Sequence, residues 1–312
     1  MSSISAVIER ARAGGLYTEK KRFTVARGRA IEKMRRFALA DPYFYILELI
    51  QAAVANHAEY IEIFSEDGEL TLAYIGGGLK KDDLANLFDY LFASKDRAEI
   101  GHLRELALGI NAALLFKPDR VIVESGDGTL QGTTRLEMHG AHDGVDIGTP
   151  QRPLTGTYIR IEGMSRGKLP KILQRILEVG DRPREFDVID ARCLAAPVPI
   201  ILNHNSLFGF SAQRSPGMLG YRRTLSFDEG DLYGTLALTN SENPGAFDLL
   251  MWGVLIQSRA HDLVPGSSLA GIVCFDRLRK TADHSGIVDD ERMAEMWARL
   301  QPYAQQLSLI HI

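Results

Sequence analysis

The chain has 312 residues, of which 45% are hydrophobic and 24% are charged, with a formal net charge of -4. This is enough for two domains of ordinary size, and the balance is typical of a folded globular protein rather than a disordered or collagen-like one. No apolar run approaches the roughly 20 residues that cross a bilayer, so a membrane partner is not expected.

Basic residues are concentrated in residues 1–40, which hold ten Lys or Arg against three Glu. Such a run is typical of a surface for nucleic acid or acidic lipid, or of a solvated helix face whose charge is balanced elsewhere. We favour the solvated face, because the basic residues alternate with core-type residues and no aromatic stacking pattern accompanies them.

The chain gives no sign of secretion. Charges at Glu9 and Arg10 come too early for a signal peptide, and Cys193 and Cys274 are too few for a disulfide framework or a cysteine-built zinc site. A cytoplasmic setting is therefore expected. The apolar tail LSLIHI follows no closing signal, which leaves open whether the chain is truncated or its last residues are foreign.

The first half of the chain predicts helices and antiparallel strands in separate blocks. A short strand is expected at 21–25, a helix from Gly28 to Leu39, and a second, largely buried helix after Asp41 and Pro42. Two strands then form a hairpin, YIEIF and LTLAYI, and three more strands are expected at DRVIVES, TTRLEMH and GTYIRIEG. This order is typical of an α+β sandwich rather than a doubly wound sheet.

Helices connect these strands. Three glycines at 76–78 lead into a helix over KKDDLANLFDYLFA, and residues 94–105 are polar and predicted to form a loop. Two further helices are expected, a short buried one at LALGINAALLF and another at LPKILQRILEVG. We place a first domain at residues 1–183 on this pattern.

Residues 184–312 predict a second α/β domain. APVPIILNHNSL predicts a strand pair that enters a new sheet. Three further strands are expected at LYGTLALT, LLMWGVLIQ and LAGIVCF, with DDERMAEMWARLQPYAQQL as a closing amphipathic helix.

Three features of the first domain occur in an order that suits a nucleotide site. Glu48 lies on an apolar helix, where a carboxylate beside a phosphate can orient and deprotonate an attacking water. The glycines at 76–78 let a backbone approach a base or a phosphate closely, and a second glycine site, at Gly101 and Gly109, marks the start of a short predicted helix, whose free N–H groups bind phosphate oxygens. A salt-bridged Glu and ordinary glycine turns are the structural alternative; the order of the features favours the nucleotide.

The segment FTVARGRAIEKMRRFALADPYFYILELIQAA resembles the opening of the ATPase domain of the ninety-kilodalton heat-shock chaperone (HtpG-like), a Bergerat-fold member of the GHKL superfamily. The resemblance covers residues 20–165, and continues more weakly over 185–300 as a middle or transducer domain. It implies ATP and Mg as cofactors, Glu48 as the general base, and Asn56 as the candidate that would hold Mg through ATP. The nucleotide contacts that it implies are Ala52, Asn56, Tyr74, Gly76, Gly78, Leu79, Gly101, Leu108, Gly109 and Thr157.

The sequence departs from the family pattern at three of these motifs. Ala52 stands where the family has the Asn that coordinates magnesium, and Tyr74 stands where an Asp reads the adenine amino group. Ala107 replaces one glycine of the second motif. Asn56, one helical turn beyond Ala52, is the candidate substitute for the lost Asn. Loss of both polar groups predicts that binding survives better than hydrolysis.

We therefore expect a heat-shock-chaperone-like ATP-binding protein with weak or absent hydrolysis, in which nucleotide rearranges the second domain for a client or partner protein. In the family a basic residue of that domain reaches the terminal phosphate, and Arg277, Arg279 and Lys280 are candidates by position. One alternative is a degenerate scaffold of the same fold that binds no ATP. A third is a nucleic-acid-linked ATPase of the MutL or gyrase kind. The family forms homodimers through C-terminal elements that we do not find in this sequence.

Two other groups of polar residues carry less weight. Lys95, Arg97 and Arg104 lie in the predicted loop, where they would reach phosphates or only water. His139 and His142 are three residues apart in a polar stretch, but no further ligand cluster accompanies them, so a metal site is not favoured there.

Overall fold

The computed structural model describes residues 27–37, 39–93, 97–140, 145–150, 152–165, 182–206, 221, 223–239, 245–265 and 268–309. These ranges hold two mixed β-sheets and six α-helices, an α+β architecture as predicted. The strand predicted at 21–25 and the helix predicted at 169–180 lie outside the described residues. Within the described ranges, no helix has both the length and the apolar character of a membrane span.

The helices follow the apolar periodicity of the sequence. They are α1 (Arg27–Phe37), α2 (Tyr45–Ala55), α3 (Lys81–Ala85), α4 (Arg97–Ala113), α5 (Arg184–Arg192) and α6 (Glu291–Leu309). Asp41 acts as an N-cap as expected, because its side chain accepts a hydrogen bond from Tyr43 N at 2.9 Å. A short 3-10 turn, Pro42–Phe44, then leads into α2.

The first sheet has eight strands in the order β5-β4-β3-β6-β2-β1-β7-β8. They are β1 (Ile61–Glu66), β2 (Glu69–Tyr74), β3 (Arg120–Asp127), β4 (Thr134–His139), β5 (Asp146–Gly148), β6 (Thr155–Glu162), β7 (Ile200–Leu202) and β8 (Asn205–Ser206). All neighbours are antiparallel except β1 and β7. The predicted hairpin and the three strands after it are confirmed.

The strand pair expected to enter a new sheet instead extends the first one. Ile61 of β1 pairs in parallel with Ile200 of β7, because the open edge of β1 offers unpaired backbone groups. Helix α5 also joins this layer, since Tyr45 Oη donates a hydrogen bond to Glu185 Oε1 at 2.9 Å. Strands β7 and β8 therefore belong to the first sheet, while α5 also contacts the second, because Arg192 Nη1 donates hydrogen bonds to Leu255 O at 3.0 Å and Ile256 O at 2.9 Å.

The second sheet has five strands in the order β12-β11-β13-β10-β9. They are β9 (Thr224–Asp228), β10 (Leu232–Leu238), β11 (Ala246–Met251), β12 (Val254–Ala260) and β13 (Leu269–Phe275), and α6 packs on β9 and β10. The single strand predicted at LLMWGVLIQ is a hairpin. Its turn residues Trp252 and Gly253 have φ values of 45° and 75°, the left-handed conformation of a tight two-residue turn.

The loop predicted at 94–105 is helical from Arg97 onward. Ile100, Leu103 and Leu106 recur at helical spacing and are buried, and that apolar stripe overrides the polar residues between them. Helix α4 lies along α2, and Gly109 permits the approach, because a Cβ there would lie 2.6 Å from Leu49 Cδ2.

One hydrophobic core spans both sheets. Leu72 and Val123 of the first sheet belong to the same buried cluster as Phe247 and Phe275 of the second. The two sheets are therefore joined through continuous apolar packing, in which α2 and α4 take part.

Candidate functional site

Glu48 lies on α2 at the junction of the two sheets and is only 3% exposed. Every residue of α2 from Tyr45 to Ala53 is buried, which follows from its apolar sequence. A carboxylate in such a place requires a partner. The partner comes from the C-terminal half of the chain, 232 residues away.

That partner is Lys280, whose side chain is completely buried. Its Nζ donates to Glu48 Oε2 at 2.5 Å, to Gln51 Oε1 at 2.5 Å and to Glu105 Oε2 at 3.0 Å. An ammonium group has three N–H donors, so each of them meets an acceptor. Helices α2 and α4 are thereby tied to the segment that follows β13.

His284 completes the ring of contacts around Glu48. Its Nδ1 lies 3.1 Å from Glu48 Oε1, and its side chain is 17% exposed. We call Lys280–Ile287 the latch loop. A β-bridge between Lys280 and Ile287 closes its base, and the Asp283 carbonyl accepts a hydrogen bond from Ala40 N at 3.0 Å. The loop is thus fixed to both halves of the molecule.

Burial alone would raise the pKa of Glu48, but the nearby positive charge of Lys280, followed by that of His284 and by hydrogen bonds, holds this pKa well below its ordinary value. Glu48 is therefore ionised and each of its oxygens already has a partner. A carboxylate in this state is a weak base, because taking a proton from water would mean giving up an ion pair.

Tyr74 lies at the end of the predicted nucleotide site that would bind the adenine base. It ends β2, is 3% exposed, and its Oη accepts a hydrogen bond from Asn56 Nδ2 at 3.1 Å. The same Asn56 nitrogen donates to Gly77 O at 2.6 Å. Burial raises the pKa of Tyr74 above its ordinary value, so the phenol stays neutral. Asn56, the candidate for magnesium, is engaged here with protein groups.

Thr157 lies directly opposite Tyr74 in the pairing of β2 with β6. Its Oγ1 is 2.8 Å from Ser125 Oγ, which in turn accepts a hydrogen bond from Leu79 N at 2.8 Å. The structure therefore does bring together Tyr74, Thr157 and Leu79, three residues that the resemblance assigns to one site. Their polar atoms are engaged with other protein groups, Tyr74 Oη with Asn56, and Thr157 Oγ1 and Leu79 N with Ser125.

The glycines assigned to the nucleotide adjoin protein atoms. An added Cβ would lie 2.6 Å from Asn56 O at Gly76 and 3.5 Å from Gly126 O at Gly78. At Gly101, which lies inside α4 rather than at its start, the Cβ would be 2.9 Å from Trp252 Cζ2. Gly76 and Gly101 therefore have a packing reason for glycine, whereas the distance at Gly78 is ordinary van der Waals contact. The assigned residues without polar side chains, Ala52, Leu108 and also Ala107, are buried.

The three basic candidates of the second unit have different places. Arg277 pairs with Glu295 at 2.7 Å and Arg279 with Asp290 at 3.3 Å, so both are engaged on the α6 side, and Lys280 reaches Glu48. His139 is 65% exposed and lies near Glu137. Lys95 and His142 lie outside the described residues.

Sequence reasoning missed Gln51, Glu105 and His284. Glu105 ended the segment predicted as a loop, and the spacing of Ile100 and Leu103 was the available signal that it lies on a buried helix. Nothing in the local pattern around His284 indicates that it faces a helix more than two hundred residues earlier.

No known family model matches the chain, and no curated protein matches it. The motif resemblance to the GHKL superfamily therefore has no independent support, and function has to be argued from the geometry of the site.

Proposed function

We propose that this chain is a protein-interaction scaffold of Bergerat-like architecture in which internal contacts have replaced the nucleotide. The observation that carries the proposal is the buried ion pair of Lys280 with Glu48. It fills the place that the resemblance gives to the reacting end of ATP, and it joins the two sheets without a ligand.

The chemistry of Glu48 supports this assignment. Hydrolysis of ATP needs a carboxylate that can accept a proton from water and a metal ion that holds the phosphates. Both oxygens of Glu48 have cationic or imidazole partners, and Ala52 offers no ligand atom at the position of the family Asn. Turnover at this site is therefore not expected.

The contacts of Tyr74 also support the proposal, at the end of the predicted site that would bind the adenine base. A purine bound there would have to displace a buried phenol and break the hydrogen bond to Asn56, and it would find no carboxylate to read its amino group. Leaving a buried polar group unpaired costs roughly 1–3 kcal/mol, which opposes binding at the outset.

The scaffold assignment rests on the fixed relation of the two sheets. Continuous packing and the latch loop hold them together, so the surface that they form is preorganised. Preorganised surfaces bind with a smaller loss of conformational entropy. We assign this surface to a partner or client protein.

Thermal unfolding with and without Mg-ATP tests the proposal. A ligand held at about 100 times its dissociation constant stabilises a protein by about 2.7 kcal/mol, which is readily seen as a higher melting temperature. We expect no shift at millimolar Mg-ATP beyond that produced by magnesium and an unrelated polyanion. A shift specific to ATP would overturn the proposal.

A second candidate is the ATP-binding, chaperone-like function implied by the resemblance. One observation favours it: a basic residue of the C-terminal half, Lys280, reaches Glu48, as the resemblance implies for the residue that contacts the terminal phosphate. Under this candidate ATP displaces Glu48 from Lys280. The variant Lys280→Met would then weaken ATP binding while Lys81→Met, which changes an exposed lysine of α3, would not.

A further inference from the structure

The outer face of the first sheet, which points away from the buried core, has its charges balanced over one half only. On β3 and β4 the carboxylates have arginine partners, because Arg135 contacts Glu124 at 2.7 Å and Glu137 at 2.8 Å. Arg120 likewise contacts Glu162 of β6 at 2.7 Å. The charges of this half are therefore neutralised within the protein.

The hairpin of β1 and β2 forms the other half of this face. Burial alternates along β1, and its three exposed residues are Glu62, Phe64 and Glu66. Phe64 pairs with Thr71 of β2, which pairs with Arg160 of β6, so these three residues lie side by side on the same face as the arginine pairs. We call Glu62, Phe64 and Glu66 the acidic hairpin face.

The carboxylates of the acidic hairpin face have no cation of their own. Within the described ranges neither Glu62 nor Glu66 forms an ion pair, and Arg160 contacts Glu69 instead, at 3.1 Å. Glu66 and Glu69 are direct cross-strand partners, and like charges in such a pair are unfavourable. The hairpin therefore favours a positively charged group that comes from outside the chain.

Phe64 adds a second attraction for a cation. It is 37% exposed, and its ring is tilted against that of His204, with the centroids 5.8 Å apart. Alternate residues of a strand lie about 7 Å apart on one face, so Glu62 and Glu66 flank the ring on its two sides. The face of an aromatic ring attracts an ammonium or guanidinium group within about 6 Å of its centroid. A cation held over Phe64 is then also near both carboxylates.

We propose that the acidic hairpin face binds an arginine-rich segment of a partner protein. This inference rests on the proposed scaffold function, and it names the surface and the chemistry of the partner. Arginine suits the face because its guanidinium group both pairs with carboxylates and stacks on aromatic rings. Charge complementarity of this kind gives specificity and fast association, and salt weakens it.

Fluorescence anisotropy of a labelled peptide of alternating Arg and Ser residues, added to the full chain at low salt, tests the inference. We expect this peptide to bind and a Gln–Ser peptide of the same length not to bind. Glu62→Gln combined with Glu66→Gln should weaken binding about tenfold, since each exposed ion pair contributes about threefold. Phe64→Leu keeps an apolar side chain but removes the ring, and should weaken binding about threefold.

Two matched controls separate this face from general attraction to the chain. Glu99→Gln combined with Glu291→Gln removes the same charge from two exposed residues of α4 and α6, and Phe92→Leu changes another exposed phenylalanine. Both should bind the Arg peptide as the wild type does. An equal loss in the control charge variant would overturn the inference, as would wild-type binding by the variant of Glu62 and Glu66 or no binding by the wild type.

Two further outcomes are distinguishable from these. Light scattering at increasing protein concentration detects a second copy of the chain as the occupant, and self-association that the double variant of Glu62 and Glu66 abolishes would overturn the assignment to a different protein. Binding of ATP in a separate assay would overturn the proposed function and leave the peptide result in place. Absence of peptide binding together with absence of ATP binding would overturn this inference alone.

Discussion

Replacing Lys280 by Met tests how much the buried contacts of Lys280 contribute to the free energy of unfolding. Met has nearly the length of Lys and an apolar end, so the change removes the charge and its three hydrogen bonds while filling most of the space. Two buried carboxylates, those of Glu48 and Glu105, then lose their contact with the ammonium group. Removing one partner of a buried ion pair costs about 3–5 kcal/mol, and Lys280 serves two carboxylates, so we expect the upper part of that range.

The effect is large against the total stability of a folded protein, which is about 5–15 kcal/mol. Urea unfolding followed by tryptophan fluorescence measures it as a lower midpoint. Lys81→Met is the control and should change stability by no more than about 0.5 kcal/mol. Adding Glu48→Gln and Glu105→Gln to Lys280→Met removes the two carboxylate charges that Lys280 contacted and should recover much of the loss. A loss below about 1 kcal/mol for Lys280→Met alone would refute the reasoning.

Three further predictions concern packing, the closed site and acid. Gly101→Ala places a methyl group 2.9 Å from Trp252 Cζ2 and should destabilise by about 1–3 kcal/mol with a change in fluorescence, whereas Gly148→Ala, with nothing within 4 Å of its Cβ, should not. Tyr74→Phe removes the acceptor of a buried amide and should cost about 1–3 kcal/mol in urea unfolding, and an unchanged midpoint would contradict the hydrogen bond. The pKa of Glu48 is lowered in the folded chain, so its contribution to stability is present above about pH 4.5 and is lost as pH falls through the folded pKa. Glu48→Gln should therefore reduce the loss of stability at acid pH. An unchanged loss at acid pH would contradict the ion pair.

The regular elements were predictable because their signals are local. Strands β1 to β4, β6, β10 and β13 follow runs of alternating or apolar residues, and α6 follows an amphipathic pattern. Helix α5 and strands β5 and β9 were not predicted, and two further errors have local causes. The strand predicted at LLMWGVLIQ contains a turn, because Trp252 adopts a left-handed conformation that its residue type does not indicate. The loop predicted at 94–105 is helical from Arg97, because its buried apolar residues recur at helical spacing between polar ones.

The site could be predicted only in part. The motif order indicated that Thr157 lies beside Tyr74, at the end of the strand that leads into the glycine cluster, and Tyr74 was recognised as a departure. What replaced the missing groups was not predictable, because the contacts of Lys280 and His284 join residues 175 to 236 positions apart. Such pairs are set by how the two sheets dock, which no local pattern encodes.

The central claim is that protein contacts occupy the nucleotide site, and binding of a fluorescent ATP analogue tests it most directly. The wild-type chain would be titrated with and without magnesium, and then challenged with unlabelled ATP. We predict no magnesium-dependent signal at millimolar nucleotide. Magnesium-dependent binding in the micromolar range that unlabelled ATP displaces would contradict the account and favour the ATP-binding alternative.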